Sequence, residues 1–279
     1  MRDKTLIGDQ PQPLISVIMP VLNAAGHLPR SLSSLAQQEW RQFEVILVDG
    51  GSSDDTIALA RQLLGDAAIS HRIDIEIGSG IYEAMNLGIA RARGDWLYVM
   101  GSDDQLLSDQ VFMQFSNCLR LAAADVIVVH GNVWIEDPGY LYGQPWDLPR
   151  FLDRNISHQS AFYRRAPIQS MEVEYNPRYT LYADWDYNIR LFSLGRFQYE
   201  PLSVASYACT GASSQRVDEL FLAEKERNAI DYFGWRACWL MPPYRFSLGC
   251  SPRSGLRRSL QLALNRVIWF CRRLFLRRS

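Results

Sequence analysis

Asp103 and Asp104 end the apolar run of "DWLYVMGSDD", and Asp49 ends that of "FEVILVDGG". Two adjacent carboxylates at a strand end repel each other unless a cation or hydrogen-bond donors stabilise them. Hard Mg²⁺ or Mn²⁺ takes oxygen ligands from one or two carboxylates together with phosphate oxygens. The pair therefore reads as a site for a divalent ion bridging a diphosphate, against the alternative of a solvated turn in which Asp104 or Ser108 caps the next helix. Gly50 and Gly51 follow Asp49, so Ser53 or Asp54 is the better helix cap, and Asp49 is expected to sit free to accept hydrogen bonds from a base or ribose. His158 in "NISHQSAFYRR" is a candidate for phosphate, metal or acceptor, or else a satisfied structural histidine. Tyr182, Trp185 and Tyr187 are candidates to stack on sugar rings, or core residues.

The elements that must position these residues read as alternating strand and helix. "LISVIM" (14–19), "FEVILV" (43–48), "RIDIEI" (72–77) and "DWLYVM" (95–100) are short apolar or β-branched runs. The first two are each followed by a helical pattern, and another helix is expected from about Ile81 to Arg93. Continuous apolar strands alternating with helices predict an α/β fold with a mostly parallel sheet, whose ligands bind beyond the carboxyl ends of the strands. Beyond about residue 107 the pattern becomes α+β. A helix is expected near 108–121, strands near 125–136 and 197–209, and a helix over about Asp184–Leu194 that buries Trp185, Ile189 and Phe192 and has Asp184 as its N-cap.

The net charge of −1 hides a separation. No Asp or Glu follows Asp231, and ten arginines (236, 245, 253, 257, 258, 266, 272, 273, 277 and 278) give residues 232–279 a charge of +10, leaving −11 on residues 1–231 by difference. The longest uncharged stretch within 256–275, Ser259–Asn265, is far short of the roughly 20 residues that span a bilayer. A basic helix interleaved with Trp and Phe suits an anionic membrane surface; packing on the body is the plainer alternative, and nucleic acid is not the expected partner. Cys118, Cys209, Cys238, Cys250 and Cys271 form no CxxC pair, which argues against a zinc knuckle or a disulfide framework. The polar, proline-broken start lacks signal-peptide features, so a cytoplasmic protein, peripheral on the inner face of the membrane, is expected. Absence of GxGxxG after the first strand and of GxxxxGK[ST] argues against dinucleotide dehydrogenases and P-loop NTPases.

In this order and near these spacings, "ISVIMPVLN", "EVILVDGGSSDDT", "SGIYEAMNLGIARARGDW", "MGSDD", "SHQSAFYRR" and "ADWDYNIRL" resemble the inverting family 2 glycosyltransferases with the GT-A fold, in particular bacterial enzymes of polysaccharide and lipid-linked oligosaccharide assembly. The resemblance covers about residues 14–215. It implies a Rossmann-like nucleotide-sugar half (1–107) and an α+β acceptor and catalytic half (108–231), which the basic amphipathic tail (232–279) follows. It assigns Pro20, Asn23, Asp49, Glu83, Asn86, Ser102 and Asp103 to the nucleotide-sugar donor, Asp104 to Mn²⁺ or Mg²⁺, and Asp184 to the catalytic base, with Asp186 as competitor; His158 stays a further metal candidate on its own chemistry. Ser102 departs from the acidic first position of the family's DxD-type site. Met85 stands where many relatives carry Arg, which leaves UDP-, GDP- and dTDP-linked donors open. The implied acceptor is a polyprenyl-diphosphate-linked glycan. A nucleotidyltransferase with a similar metal–carboxylate site, and a non-catalytic membrane- or nucleic-acid-binding module, are the alternatives. "TGASSQ" (210–215) offers Ser213 as a diphosphate contact and Ser214 as a helix cap.

Overall fold

The computed structural model describes residues 12–136, 139–207 and 217–234. The basic tail from residue 235 onward and "TGASSQ", with Ser213 and Ser214, lie outside the described residues. Strands β1 (Ile15–Val21), β2 (Phe43–Asp49), β3 (Ser70–Ile75) and β4 (Trp96–Val99) form a parallel block in the order β3-β2-β1-β4. Helices α1 (Leu28–Ala36), α2 (Thr56–Asp66) and α3 (Ile81–Arg91) connect them. Each side chain along a strand faces opposite to its neighbour. Ile15, Val17 and Met19 accordingly pack with α1 and α2 on one face, while Ile18, Ile46 and Val48 pack with α3 on the other. Burial on both faces explains why β1, β2 and β4 are uniformly buried whereas the edge strand β3 is half-exposed.

The second half continues the same sheet. Strand β5 (Gln105–Leu106) pairs at the far edge, α4 (Val111–Leu121) covers one face, and β6 (Val126–Ile135) and β7 (Tyr140–Tyr142) form an antiparallel pair. Then come α5 (Leu148–Asp153), a 3₁₀ turn (His158–Ser160), β8 (Ala161–Arg164), α6 (Arg165–Ser170), α7 (Ala183–Leu194), β9 (Arg196–Tyr207) and α8 (Glu219–Phe233). The order runs β3-β2-β1-β4-β8-β6-β9-β5, with β7 on β6. The expected α/β, mostly parallel sheet is the one observed. Strand β8 runs antiparallel to both neighbours, and β5 and β7 are antiparallel to theirs.

Several boundaries differ from expectation. Strand β3 begins two residues earlier than its apolar run. Helix α8 runs to Phe233, with Phe221, Ala229 and Phe233 packed into the core beside α7. Among the described residues no helix is long and apolar enough to cross a membrane.

His130 in β6 is 1% exposed and its Nδ1 has no hydrogen-bond partner. Burial lowers its pKa to about 4, so the ring is neutral in the fold. An unfolded histidine binds its proton near pH 6.5, so as pH falls from 6.5 towards 4 the unfolded chain takes up a proton that the native one refuses. Denaturant melts across that window should lose up to about 3 kcal/mol from this residue. His130→Gln should flatten the slope there.

Candidate functional site

Strand order reverses at β1, with β2 on one side and β4 on the other. Asp49 ends β2 and pairs with Val21, and the Asp103–Asp104 segment follows β4, two strand spacings away, about 10 Å. This crevice at the carboxyl ends is where open α/β sheets take ligands.

On the β1–β2 side the loops are bound to each other. Asn23 adopts φ 49°; its Oδ1 accepts from Ser53 N–H at 2.9 Å and its N–H donates to Ser52 Oγ at 2.8 Å. Asp49 is 1% exposed and is not free. It accepts from the N–H groups of Gly51 and Ser52 and from Ser52 Oγ. The carboxylate closes its own turn, which the left-handed Gly51 (φ 102°) permits. Asp54 accepts from Thr56 N–H and Ala25 N–H, so it serves the start of α2 as expected, although Asp55 is the residue flanking the helix. Pro20 is buried within β1, beyond the last β1–β4 pair (Ile18–Val99), so its missing N–H interrupts no β4 ladder bond. Leu22 and Ile77, 58% and 85% exposed, stand beside Gly50 and Gly51 and form an apolar rim that the sequence reading missed.

Two donor assignments meet other partners. Asn86 holds the second half of the chain: its Nδ2 donates to Tyr175 O at 2.9 Å and its Oδ1 accepts from Tyr175 N–H at 2.8 Å. Both ends of the amide are thus engaged by the backbone of Tyr175. Glu83, exposed in the first turn of α3, folds its carboxylate back against Gly80, where the helix begins with unpaired N–H groups.

On the β4 side, Ser31 Oγ of α1 is shared between the carbonyls of Ser102 and Asp104, fixing the backbone on both sides of Asp103. Asp103 is exposed and Asp104 is 5% exposed. A Cβ on Gly101 would lie 2.9 Å from an oxygen of each carboxylate, so both close over this glycine. Asp104 accepts from Gly101 N–H at 2.7 Å and from Gln159 Nε2 at 3.1 Å. Burial raises its carboxyl above the usual range, with His158 pulling the other way.

Strand β8 brings in the rest. Because it pairs antiparallel with β4 (Tyr98 with Phe162), the residues just before it lie at β4's carboxyl end, where Tyr98 OH donates to Gln159 O at 3.0 Å. His158 thus sits between two acids, Nε2 4.0 Å from Asp104 and Nδ1 3.7 Å from Asp184. Burial favours the neutral ring, but Asp184, Asp104 and Asp103 outweigh it and hold His158 above its ordinary value. Asp184 lies in the first turn of α7, not at its N-cap, which is Tyr182; its oxygens accept from Trp185 N–H at 2.9 Å and Asn155 Nδ2 at 2.7 Å. The competitor Asp186 is 1% exposed, bonded to Tyr232 OH and Asn228 Nδ2 of α8 and near Arg190. It locks α7 to α8. Tyr187 is core, and Tyr182 and Trp185 are partly buried against Phe221. Gln159 and Asn155 flank His158 inside "NISHQS", but nothing local marked their partners.

Among the described residues no cluster of three or more His, Cys, Asp or Glu could hold a metal by protein ligands alone. The donor set fits a hard ion completed by phosphate oxygens: two carboxylates converge over Gly101, and the buried Asp104 lacks a full countercharge.

Residues 16–156 match the profile of the family described as Glycosyl transferase family 2. The chain is 39% identical over 217 residues to a PGL/p-HBAD biosynthesis glycosyltransferase of Mycobacterium bovis (strain BCG / Pasteur 1173P2), covering 75% of this chain and 83% of that protein. Among solved structures it is similar to S. aureus TarS 1-349 in complex with UDP-GlcNAc (TM-score 0.62, 16% identity, 90% of this chain and 79% of that one). It is also similar to the mannosyltransferase PcManGT from Pyrobaculum calidifontis in complex with GDP-Man and Mn²⁺ (TM-score 0.58, 15% identity, 99% and 87%). These likenesses show the GT-A fold.

If Asn86 is structural, Asn86→Ala strands two backbone groups of Tyr175 and should cost about 2 kcal/mol in urea melts. Affinity for UDP or GDP, measured calorimetrically, should stay within twofold.

Proposed function

The chain belongs to glycosyl transferase family 2, and from that premise we propose that it transfers one hexose, with inversion, from a nucleotide sugar to a hydroxyl of a polyprenyl-diphosphate-linked glycan. The observation that carries this reading is the meeting of Asp103, Asp104, His158 and Asp184 at one end of the sheet. Family membership sets the nucleotidyltransferase alternative aside. A relative named for PGL/p-HBAD biosynthesis supports a role in surface glycolipid or polysaccharide assembly, and neighbours holding UDP-GlcNAc or GDP-Man support a nucleotide-sugar donor.

The donor lies across the ends of β1, β2 and β4. The bound loops of Asn23, Asp49 and Ser52 shape the nucleotide side, with Leu22 and Ile77 as its apolar rim, and Asp103 reaches the ribose. Asp104, with Asp103 and His158 beside it, would hold Mn²⁺ or Mg²⁺, which supplies compensation for charge developing on the departing diphosphate. Asp184 takes the proton of the acceptor hydroxyl; the oxygen attacks the anomeric carbon opposite the leaving group, and the carbon–oxygen bond to the diphosphate breaks with its electron pair leaving on the diphosphate. One base and one displacement give inversion. The arginine-rich tail would hold the enzyme at the anionic inner face of the membrane, at about 1 kcal/mol per basic residue.

Thermal melts with UDP, GDP and dTDP, with and without Mn²⁺, should show a metal-dependent rise for one base, since ligand binding to the native state raises apparent stability. Asp104→Ala should abolish that rise. Asp184→Asn should keep it and lower turnover by about 10²- to 10⁴-fold. A metal-independent Asp104→Ala enzyme with full turnover would overturn the metal assignment. Separately, the full chain should sediment with anionic liposomes at low salt and leave them as salt rises; indifference to the liposomes would remove the membrane part.

A further inference from the structure

Asp184 is held by a chain of side chains that leads away from the crevice into the core. Its Oδ2 accepts from Asn155 Nδ2 at 2.7 Å, Asn155 Oδ1 accepts from Asn188 Nδ2 at 3.0 Å, and Asn188 Oδ1 accepts from Tyr163 OH at 3.1 Å. Asn188 stands four residues after Asp184 on α7, on the same side of the helix, and is fully buried; Tyr163 of β8 is 1% exposed. Asn155, between α5 and the 3₁₀ turn, is itself fixed, because Tyr142 OH donates to its carbonyl at 2.6 Å.

The chain has one direction. A buried phenol donates to one amide, that amide to the next, and the last donor ends on the carboxylate. Reversing Asn155 would set its oxygen against Asp184 and its nitrogen against Asn188 Nδ2, and reversing Asn188 would set its oxygen against Asn155 Oδ1, so the order fixes an N–H on Asp184 Oδ2 while Trp185 N–H holds Oδ1. Both carboxylate oxygens are thereby held by neutral donors, with His158 Nδ1 3.7 Å from the same Oδ2. Placement to within about an ångström is worth about 100-fold in rate when a group must meet a reacting atom.

We propose that Asn155, backed by Asn188 and Tyr163, is a positioning residue that sets the angle at which Asp184 meets the acceptor hydroxyl. This rests on Asp184 being the base. A merely architectural role for the same bonds would lower stability without acting through Asp184, and kinetics separate the two.

The full chain is assayed by release of nucleoside diphosphate with Mn²⁺, from whichever of UDP-glucose, GDP-mannose and dTDP-glucose the wild type turns over fastest. Asn155→Asp keeps the shape and the bond from Asn188 but turns the donor facing Asp184 into an acceptor, and Asn155→Ala removes it. Both should lower kcat by 10- to 100-fold with the donor KM within twofold. Tyr163→Phe, which deletes only a hydroxyl, should lower kcat two- to fivefold, and it carries the test if the Asn155 variants do not melt cooperatively. In an Asp184→Asn background, Asn155→Ala should change the residual rate less than twofold. Wild-type kcat in the folded variants, or an equal loss in the Asp184→Asn background, overturns the proposal while leaving Asp184 as base. Undiminished turnover by Asp184→Asn alone brings down the base assignment and the positioning role with it.

Discussion

The antiparallel pairing of β8 with β4 is the contact on which the candidate site depends. A fully parallel sheet brings only strand ends of one polarity to its ligand edge. Reversing one strand beside β4 delivers the residues that precede β8, from Asn155 to Ser160, to the place where β4 releases Asp103 and Asp104. The register is held by Tyr98 against Phe162, whose rings stack at 4.9 Å, and by Tyr98 OH on the carbonyl of Gln159. Slipping that pairing by one residue would turn the alternate side chains to the opposite face and part Gln159 from Asp104.

Three acids and one histidine in a small space pose an electrostatic problem. Asp103 is solvated, and Asp184 accepts two neutral donors, but Asp104 is buried, where burial disfavours its charge. His158 lies between Asp104 and Asp184, and these acids raise its pKa above the ordinary value against the opposing effect of its burial. Such mutual dependence is strong in a dry site and weak in a wet one. The same low dielectric that makes the uncompensated charge of Asp104 costly would strengthen its hold on a divalent ion.

The division between Asp184 and Asp186 follows from helix geometry. Two positions on α7 turn a side chain by about 200°. One acid therefore faces the crevice and the other the packed face against α8, where Tyr232, Asn228 and Arg190 surround it. Asp186 thus fastens the helix whose first turn carries Asp184.

The sequence by itself determined the alternation of strand and helix, the burial of β1, β2 and β4 on both faces, and the set of strand-end acids, because periods of 2 and 3.6 residues are local signals. It named Asp184 with Asp186 as competitor, showed Asp49 as free when its own turn occupies it, and gave no sign that the Asn86 amide holds Tyr175, 89 residues away. Only the tertiary structure decided the partners of these residues, along with the meeting of Gln159 and His158 with Asp104. The physical reason is that a side chain's partner is set by which strands pair and in which direction. Gln159 and Asp104 are 55 residues apart in the chain, and no local spacing encodes the reversal of β8 that brings them within 3.1 Å.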